Sequence, residues 1–365
     1  MKRLFVTLVF ALALSACGGG AAAPVPSSSA AAGGSTQASA ASGAKPTSLA
    51  DLAKYTGADR QQILEDGAKK EANLTLYTSS VATIMQPLID AFRAKYPYLK
   101  VDMYRADNTE LLQRIGQEAQ ANKDAMDVLE TTTDSLGTLI DNKLLQPYTS
   151  PEMASYPKDA LQPDSYWGVT RESYVGLGYN TKLVDAAKAP KTQDDLLDPQ
   201  WKGKMTIAGS ATGVRFVGAI LINKGQDFFT KLTQQQIHVQ DISGRALADL
   251  VIAGEVPLSP TIFDSHVADS KKQNAPIEWN PLEPTVVNSG AITIGHKAPH
   301  PNASLLFADF VLSQAGQQIY IDHGYASPRN GLSKANFKKL YLETAVKDYQ
   351  TEYDKWQQLL RSSFG

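Results

Sequence analysis

Three short apolar runs, each followed by a polar turn and then by apolar residues three and four apart, set the rhythm of the chain's first half. Leu74 to Tyr77 reads as a buried strand after a helix over about residues 59–71, and Thr78-Ser79-Ser80 is its outgoing turn. Ile84, Leu88, Ile89 and Phe92 then fall on one helical face that ends at Pro97. Val101 to Tyr104 and Asp127 to Glu130 repeat the strand, with Leu111, Leu112 and Ile115 marking the helix between them and Leu136, Leu139 and Ile140 the helix that follows. Strands alternating with helices predict an α/β protein with a mostly parallel sheet.

The pattern starts again beyond an extended run from Val175 to Thr181 and a loop-rich stretch from Pro190 to Trp201. Met205 to Ala208 predicts a strand, Gly209 to Gly213 a turn, and Phe216 to Ile222 an apolar helix, and a second β-α-β region continues to about Trp279. Thr285 to Ile294 reads as a strand pair turning at Ser289-Gly290, and Asn302 to Ser313 as a helix. Tyr349, Tyr353, Trp356 and Leu360 make one stripe of a terminal helix, a core-packing pattern.

The first 46 residues follow neither rhythm. Lys2-Arg3, an apolar run from Leu4 to Leu14 and the small residues Ser15-Ala16 form a secretory leader, too short for the roughly 20 residues of a membrane span. Leu14-Ser15-Ala16-Cys17 resembles a lipoprotein cleavage box, which makes Cys17 the expected lipid attachment point. Gly18 to Pro46 is dominated by Ala, Gly, Ser and Pro, has no aromatic residue and cannot bury a core; as a flexible coil it would span roughly 30 Å.

Composition narrows the function. The 365 residues carry 35 Lys plus Arg against 37 Asp plus Glu, so no basic excess favours nucleic acid, which is not an expected partner. A single cysteine forms no internal disulfide and supplies no Cys-rich metal site. Three turns at strand ends carry hydroxyls: Thr78-Ser79-Ser80, Thr131-Thr132-Thr133 and Ser210-Ala211-Thr212. In parallel α/β sheets ligands sit at such ends, where helix N-termini hold anions through backbone N–H groups, although Ser and Thr are also good helix caps. Arg105, Arg171, Arg215 and Arg245 fall in or beside these segments and could grip a carboxylate, phosphate or sulfonate; Arg171 and Arg245 have Tyr174 and Ser243 nearby.

Signatures of catalysis are weak. His296 and His300 have a metal-ligand spacing, but Pro299 and Pro301 break the helix it needs. Ser155 to Lys158 matches S-x-x-K without its companion motifs, and the five histidines form no nucleophile–base arrangement.

The order of segments resembles the bacterial extracellular solute-binding proteins of ABC importers, in the group that contains periplasmic ferric-ion-binding proteins. The resemblance is carried by Leu74 to Ser79, Asp127 to Glu130, Leu144 to Tyr148, Gly178 to Thr181, Pro199 to Lys204, Ala253 to Val256 and Ala298 to Ala303. It implies a type 2, two-lobed periplasmic-binding-protein-like α/β fold, with lobes joined by crossing hinge strands at Val175 to Thr181 and Thr285 to Ile294, closing on solute by hinge motion. The expected organisation is a signal peptide over 1–16, lipidated Cys17 and tether over 17–46, lobe 1 over 47–177 with about 286–328, lobe 2 over 178–285, and C-terminal helices over 329–365 packing on the lobes. The expected protein is a monomer without cofactor or bound metal, not an enzyme, in the periplasm or on the outer face of the cell membrane. Its partners are a small anionic solute, the permease subunits, and the membrane through its lipid.

Ferric-ion members typically carry a consecutive tyrosine pair soon after the Gly-Glu motif. This chain has Ile262-Phe263-Asp264-Ser265-His266 there, and only Asp264 with Tyr174 offers the hard oxygens that ferric ion demands. The expected solute site is therefore Ser79, Ser80, Thr132, Ser210, Thr212 and Ser243 with Arg171 or Arg245, while Asp264 and Tyr174 stand for the iron alternative. An exported hydrolase or transferase using the same cleft is the alternative of a different class, and a sensory protein shares the importer's cleft.

Overall fold

The computed structural model describes Pro46 and residues 48–364. The expected leader, Cys17 and the tether up to residue 45 lie outside the described residues.

The chain runs α1 (Leu49–Lys54), α2 (Arg60–Glu71), β1 (Asn73–Thr78), α3 (Ala82–Lys95), β2 (Lys100–Arg105), α4 (Asn108–Gln120), β3 (Val128–Thr132), α5 (Leu136–Asp141) and β4 (Leu145–Gln146). A long strand β5 (Gly168–Asn180) leads to β6 (Thr206–Ala208), α6 (Ala211–Thr233), β7 (His238–Gln240), α7 (Gly244–Ala253), β8 (Leu258–Phe263), α8 (Asp264–Lys271) and β9 (Ile277–Asn280). A second long strand, β10 (Thr285–Gly295), returns to α9 (Pro301–Leu312) and α10 (Gln314–Asp322), after which β11 (Lys339–Leu340), α11 (Leu342–Ala345) and α12 (Tyr349–Phe364) complete the chain.

The alternation read from the sequence builds parallel pairs: β1 lies between β2 and β3, parallel to both. β3 pairs antiparallel with the C-terminal half of β10, and β10 pairs antiparallel with β5, giving the order β2-β1-β3-β10-β5-β8. β6 and β7 pair parallel, and Met205 bridges to Leu258 of β8.

β5 and β10 serve two hydrophobic cores. The first gathers Leu74, Leu76, Phe92, Val128, Ile292, Ile294 and Phe307 on one sheet face, with Tyr77, Leu111, Leu129, Leu139 and Ala291 on the opposite face. The second gathers Val175, Leu177, Ile207, Val217, Ile220, Val286 and Trp356, with Leu247, Val251, Ile262 and Val267 behind it. Trp356 and Leu360 are buried there, as their helical stripe demands.

The sheet is mixed rather than mostly parallel, because the long strand β10 runs antiparallel to β3 and β5, and β5 antiparallel to β8 and β9, and one local expectation is overturned. Thr285 to Ile294 is not a strand pair: it is a single strand without a turn at Ser289-Gly290. Gly290 lies opposite Thr132 on one side and Arg171 on the other, at the point where the register with β5 shifts by one residue. Its bare Cα faces the Arg171 side chain, and an added Cβ would stand 2.7 Å from Arg171 Cζ. The glycine makes room for an arginine rather than for a turn. β5 also begins seven residues before the expected run at Val175, because Thr170, Arg171 and Glu172 are buried despite their polarity.

Candidate functional site

The polar centre of the hinge is assembled from strand ends. Glu130 of β3 is fully buried and accepts from Thr78 Oγ1 at 2.9 Å and Thr170 Oγ1 at 3.1 Å, while Arg171 Nε lies 3.5 Å from its Oε1. Each buried oxygen thereby has a donor, which buried charge requires. Arg171 reaches over Gly290 to donate to Ser80 Oγ from Nε at 3.3 Å and from Nη2 at 3.1 Å. Arg105 Nε donates to the Ser80 carbonyl at 3.3 Å, and the Arg171 guanidinium carbon sits 5.2 Å from the Tyr325 ring centroid. Among the described residues Nη1 of Arg171 makes no hydrogen bond.

Arg171 opens onto a cavity of about 680 Å³ between the two cores. Ser173 and Asn288 of the hinge strands floor it, Phe263, Ser265 and His266 line it from the second core, and Tyr325 from the first. Burial, with the Arg245 charge nearby, pushes the His266 imidazole below its ordinary pKa of 6.5, so it stays neutral at pH 7.

The other expected residues fall into separate groups. Ser79 Oγ lies 3.0 Å from Thr131 Oγ1, which donates to Asn108 Oδ1 at 2.7 Å; Thr132 Oγ1 donates to Asp134 Oδ1 at 2.6 Å. These hydroxyls form one cluster at the ends of β1 and β3. Ser210 stands at the start of α6 without capping it, its hydroxyl 3.3 Å from Thr212 Oγ1. A Cβ on Gly244 would lie 3.6 Å from Thr212 Oγ1, which brings the start of α7 beside the start of α6. Ser243 caps α7 by accepting from Ala246 N at 3.2 Å.

Arg245 is turned elsewhere. Its guanidinium pairs with Asp249 one turn along α7 and donates to the His266 carbonyl at 3.2 Å and Ser270 Oγ at 3.1 Å, so it fastens α7 to α8 and does not line the cavity.

Tyr174 and Asp264 line a neighbouring cavity of about 550 Å³. Tyr174 OH donates to Glu172 Oε2 at 2.6 Å, and burial together with that carboxylate holds the phenol far above its ordinary pKa. Asp264 Oδ1 accepts from Tyr174 N at 3.0 Å, and burial raises its carboxyl above 3.8 against the pull of backbone amides. Glu172 also accepts from Lys339 Nζ at 2.6 Å and from the Tyr341 hydroxyl, tying the C-terminal segment to the hinge strand. Among the described residues no group of three or more His, Cys, Asp and Glu side chains could hold a metal ion. His300 is instead tied to buried Asp127, Nδ1 to Oδ2 at 2.7 Å.

Ser173, Asn288, Ser265, His266 and Tyr325 were absent from the site expected from sequence. Only the proximity of Ser265 and His266 to Asp264 at the end of β8 could have pointed to them.

The family model described as bacterial extracellular solute-binding protein matches residues 87–341. A Fe(3+)-binding periplasmic protein of Serratia marcescens is 28% identical over 164 residues, 44% of this chain and 47% of that protein, so the match spans about half the relative's length. Iron uptake protein A1 of Synechocystis is 23% identical over 284 residues, 73% of this chain and 78% of that one. Among solved structures, iron-bound HitA from Pseudomonas aeruginosa superposes with a TM-score of 0.65 at 21% identity, covering 79% of this chain and 99% of that one. The two-lobed α/β architecture expected from the resemblance is the one found.

Proposed function

The chain belongs to the bacterial extracellular solute-binding proteins, and from that premise we propose that it is the lipid-anchored solute-binding subunit of an ABC-type importer. It captures a small anionic solute between its lobes by hinge closure and delivers it to a membrane permease. The observation that carries the reading is Arg171: a nearly buried guanidinium, positioned by Ser80 and Glu130, that lines the interlobe cavity. The pair Ser210 and Thr212, of whose two hydroxyl hydrogens one is left over, supplies a further donor as the lobes approach, while the hydrogens of the Ser79, Thr131 and Thr132 cluster are used within it. Ser243 keeps its hydroxyl hydrogen for the same purpose while its oxygen caps α7. The family is one of solute binding rather than catalysis.

Ferric ion or a ferric complex is the second reading, favoured by the names of the relatives. Against it, the Tyr174 hydroxyl is committed to Glu172, and no group of three or more His, Cys, Asp and Glu side chains among the described residues surrounds Asp264 to complete a metal site. Thermal shift of the full chain against phosphate, sulfonates, carboxylates and ferric citrate separates the readings. A ligand at one hundred times its Kd stabilises by about 2.7 kcal/mol. Stabilisation by an anion without iron supports the proposal; a shift with ferric citrate alone, and a coloured protein, overturns it. Cys17→Ser should release the protein from the membrane fraction if the cysteine carries the lipid.

A further inference from the structure

The two cavities beside α8 border on the same residues. Ser265, His266 and Asp269 line the first, Asp264, Val267 and Lys271 the second, and Ala268 lines both. Facing Ala268 across the gap are Ile321, Gly324 and Tyr325, which also line both. On the α8 side Ala268 is the one residue that borders both cavities. Tyr325 stands at the same boundary and carries the Arg171 guanidinium over its ring.

The second cavity differs in chemistry. Its inner wall is aromatic: Tyr174 meets Phe337 edge-on at 4.9 Å between ring centroids, and Trp279 meets Phe337 at 5.9 Å. The one cation and one anion of its rim that lie close together, Lys271 and Glu278, neutralise each other at 2.6 Å. Cavities of several hundred Å³ with apolar walls and a few convergent polar groups are the usual form of small-molecule sites. A lone inorganic oxyanion would leave such a wall unused.

We propose that the solute is an organic anion with an aromatic body, its charged end on Arg171 and its ring in the cavity walled by Trp279 and Phe337. The inference rests on the anion reading given above and adds the second half of the molecule. The guanidinium supplies charge-assisted bonds to the head, and the ring buries its faces against aromatic edges, where pairs gain beyond their buried area.

The test is calorimetric titration of the full chain with matched probes, acetate against phenylacetate and phosphate against phenylphosphate. The phenyl member of at least one pair is expected to bind tenfold or more tightly than its partner. Ala268→Leu, which fills the boundary from an exposed helix position, should reduce that ratio below about threefold, and Trp279→Ala should do the same. If simple and phenyl members bind with equal affinity, the aromatic inference is overturned and the anion reading stands. If no member of either pair binds, both fall. Should Trp279→Ala fail to fold, Ala268→Leu and the wild-type ratios decide alone.

Discussion

Gly290→Ala isolates the contact that positions Arg171. The glycine lies inside a central strand with no left-handed backbone to protect, so alanine fits the conformation. Taken alone, the change should stabilise by about 0.4–1 kcal/mol through the unfolded chain. The neighbours reverse the sign: the new Cβ would stand 2.7 Å from Arg171 Cζ, 2.8 Å from Cγ and 2.9 Å from Nε, and the three nearest atoms all belong to that one side chain. Arg171 must swing away, losing its bonds to Ser80, and hydrogen bonds to a charged group contribute about 1.5–3 kcal/mol. Glu130, 0% exposed, also loses its nearest cation. The net expectation is a loss of about 1–3 kcal/mol, a fall in Tm of a few degrees for a domain of this size. The affinity for the anion should drop tenfold or more, since each 1.4 kcal/mol is a factor of ten. Calorimetric melting and titration read both. Gly116→Ala is the control: it lies in α4 with nothing within 4 Å of an added Cβ and should stabilise by up to about 1 kcal/mol. A Gly290→Ala protein that melts at or above the wild-type temperature and binds anion normally would refute the role given to Arg171.

Three further outcomes follow from the same geometry. Arg215, 1% exposed, joins α6 to Glu343 at 2.9 Å and to Asp134 at 3.2 Å; Arg215→Met should destabilise by about 3–5 kcal/mol by leaving Glu343 buried and unpaired, whereas Asp134→Asn, at a site 28% exposed, should lose under about 1 kcal/mol, both by urea unfolding. Asp264 has a folded pKa raised above 3.8 by burial: between those two values the folded chain holds a proton that the unfolded chain releases, so this group makes stability fall as pH rises through that window. Asp264→Asn, which keeps an acceptor for the Tyr174 amide, should gain stability relative to wild type at pH 7 compared with pH 3, measured as the difference in Tm. His266, lowered below 6.5 by burial, should leave anion affinity flat from pH 7 to 8 and raise it as the ring gains charge in more acidic buffer; His266→Gln should abolish that rise in a titration series.

The elements whose polarity follows their burial were legible in the sequence. β1, β3 and α3 expose their pattern because Leu74, Leu76, Val128, Leu88 and Phe92 are apolar where the core demands it. β10 misled because Ser289-Gly290 has turn chemistry, yet Gly290 is small for the sake of Arg171, a residue more than one hundred positions away. The first half of β5 was hidden for a related reason: Thr170, Arg171 and Glu172 are buried through partners on β3, in the turn after β1 and in the C-terminal segment, and no local pattern announces such pairings. Of the site, Ser80 and Arg171 were readable as a type of residue at a strand end, though their mutual bond was not. Arg245 could have been discounted from sequence, since Asp249 stands four residues on, the spacing of a helical ion pair.

The threading of β10 between β3 and β5 has a consequence for the order in which the protein takes shape. The strand that closes the first sheet is made after every residue of β6, β7, β8 and β9. Until residue 295 is available to pair, the β3 edge has no partner at Thr132 to Val128 and Glu130 lacks the strand that brings the Arg171 and Thr170 donors into register. The first half of the chain therefore cannot finish folding ahead of the second, and a chain delivered from its N-terminus stays open until most of its length has arrived.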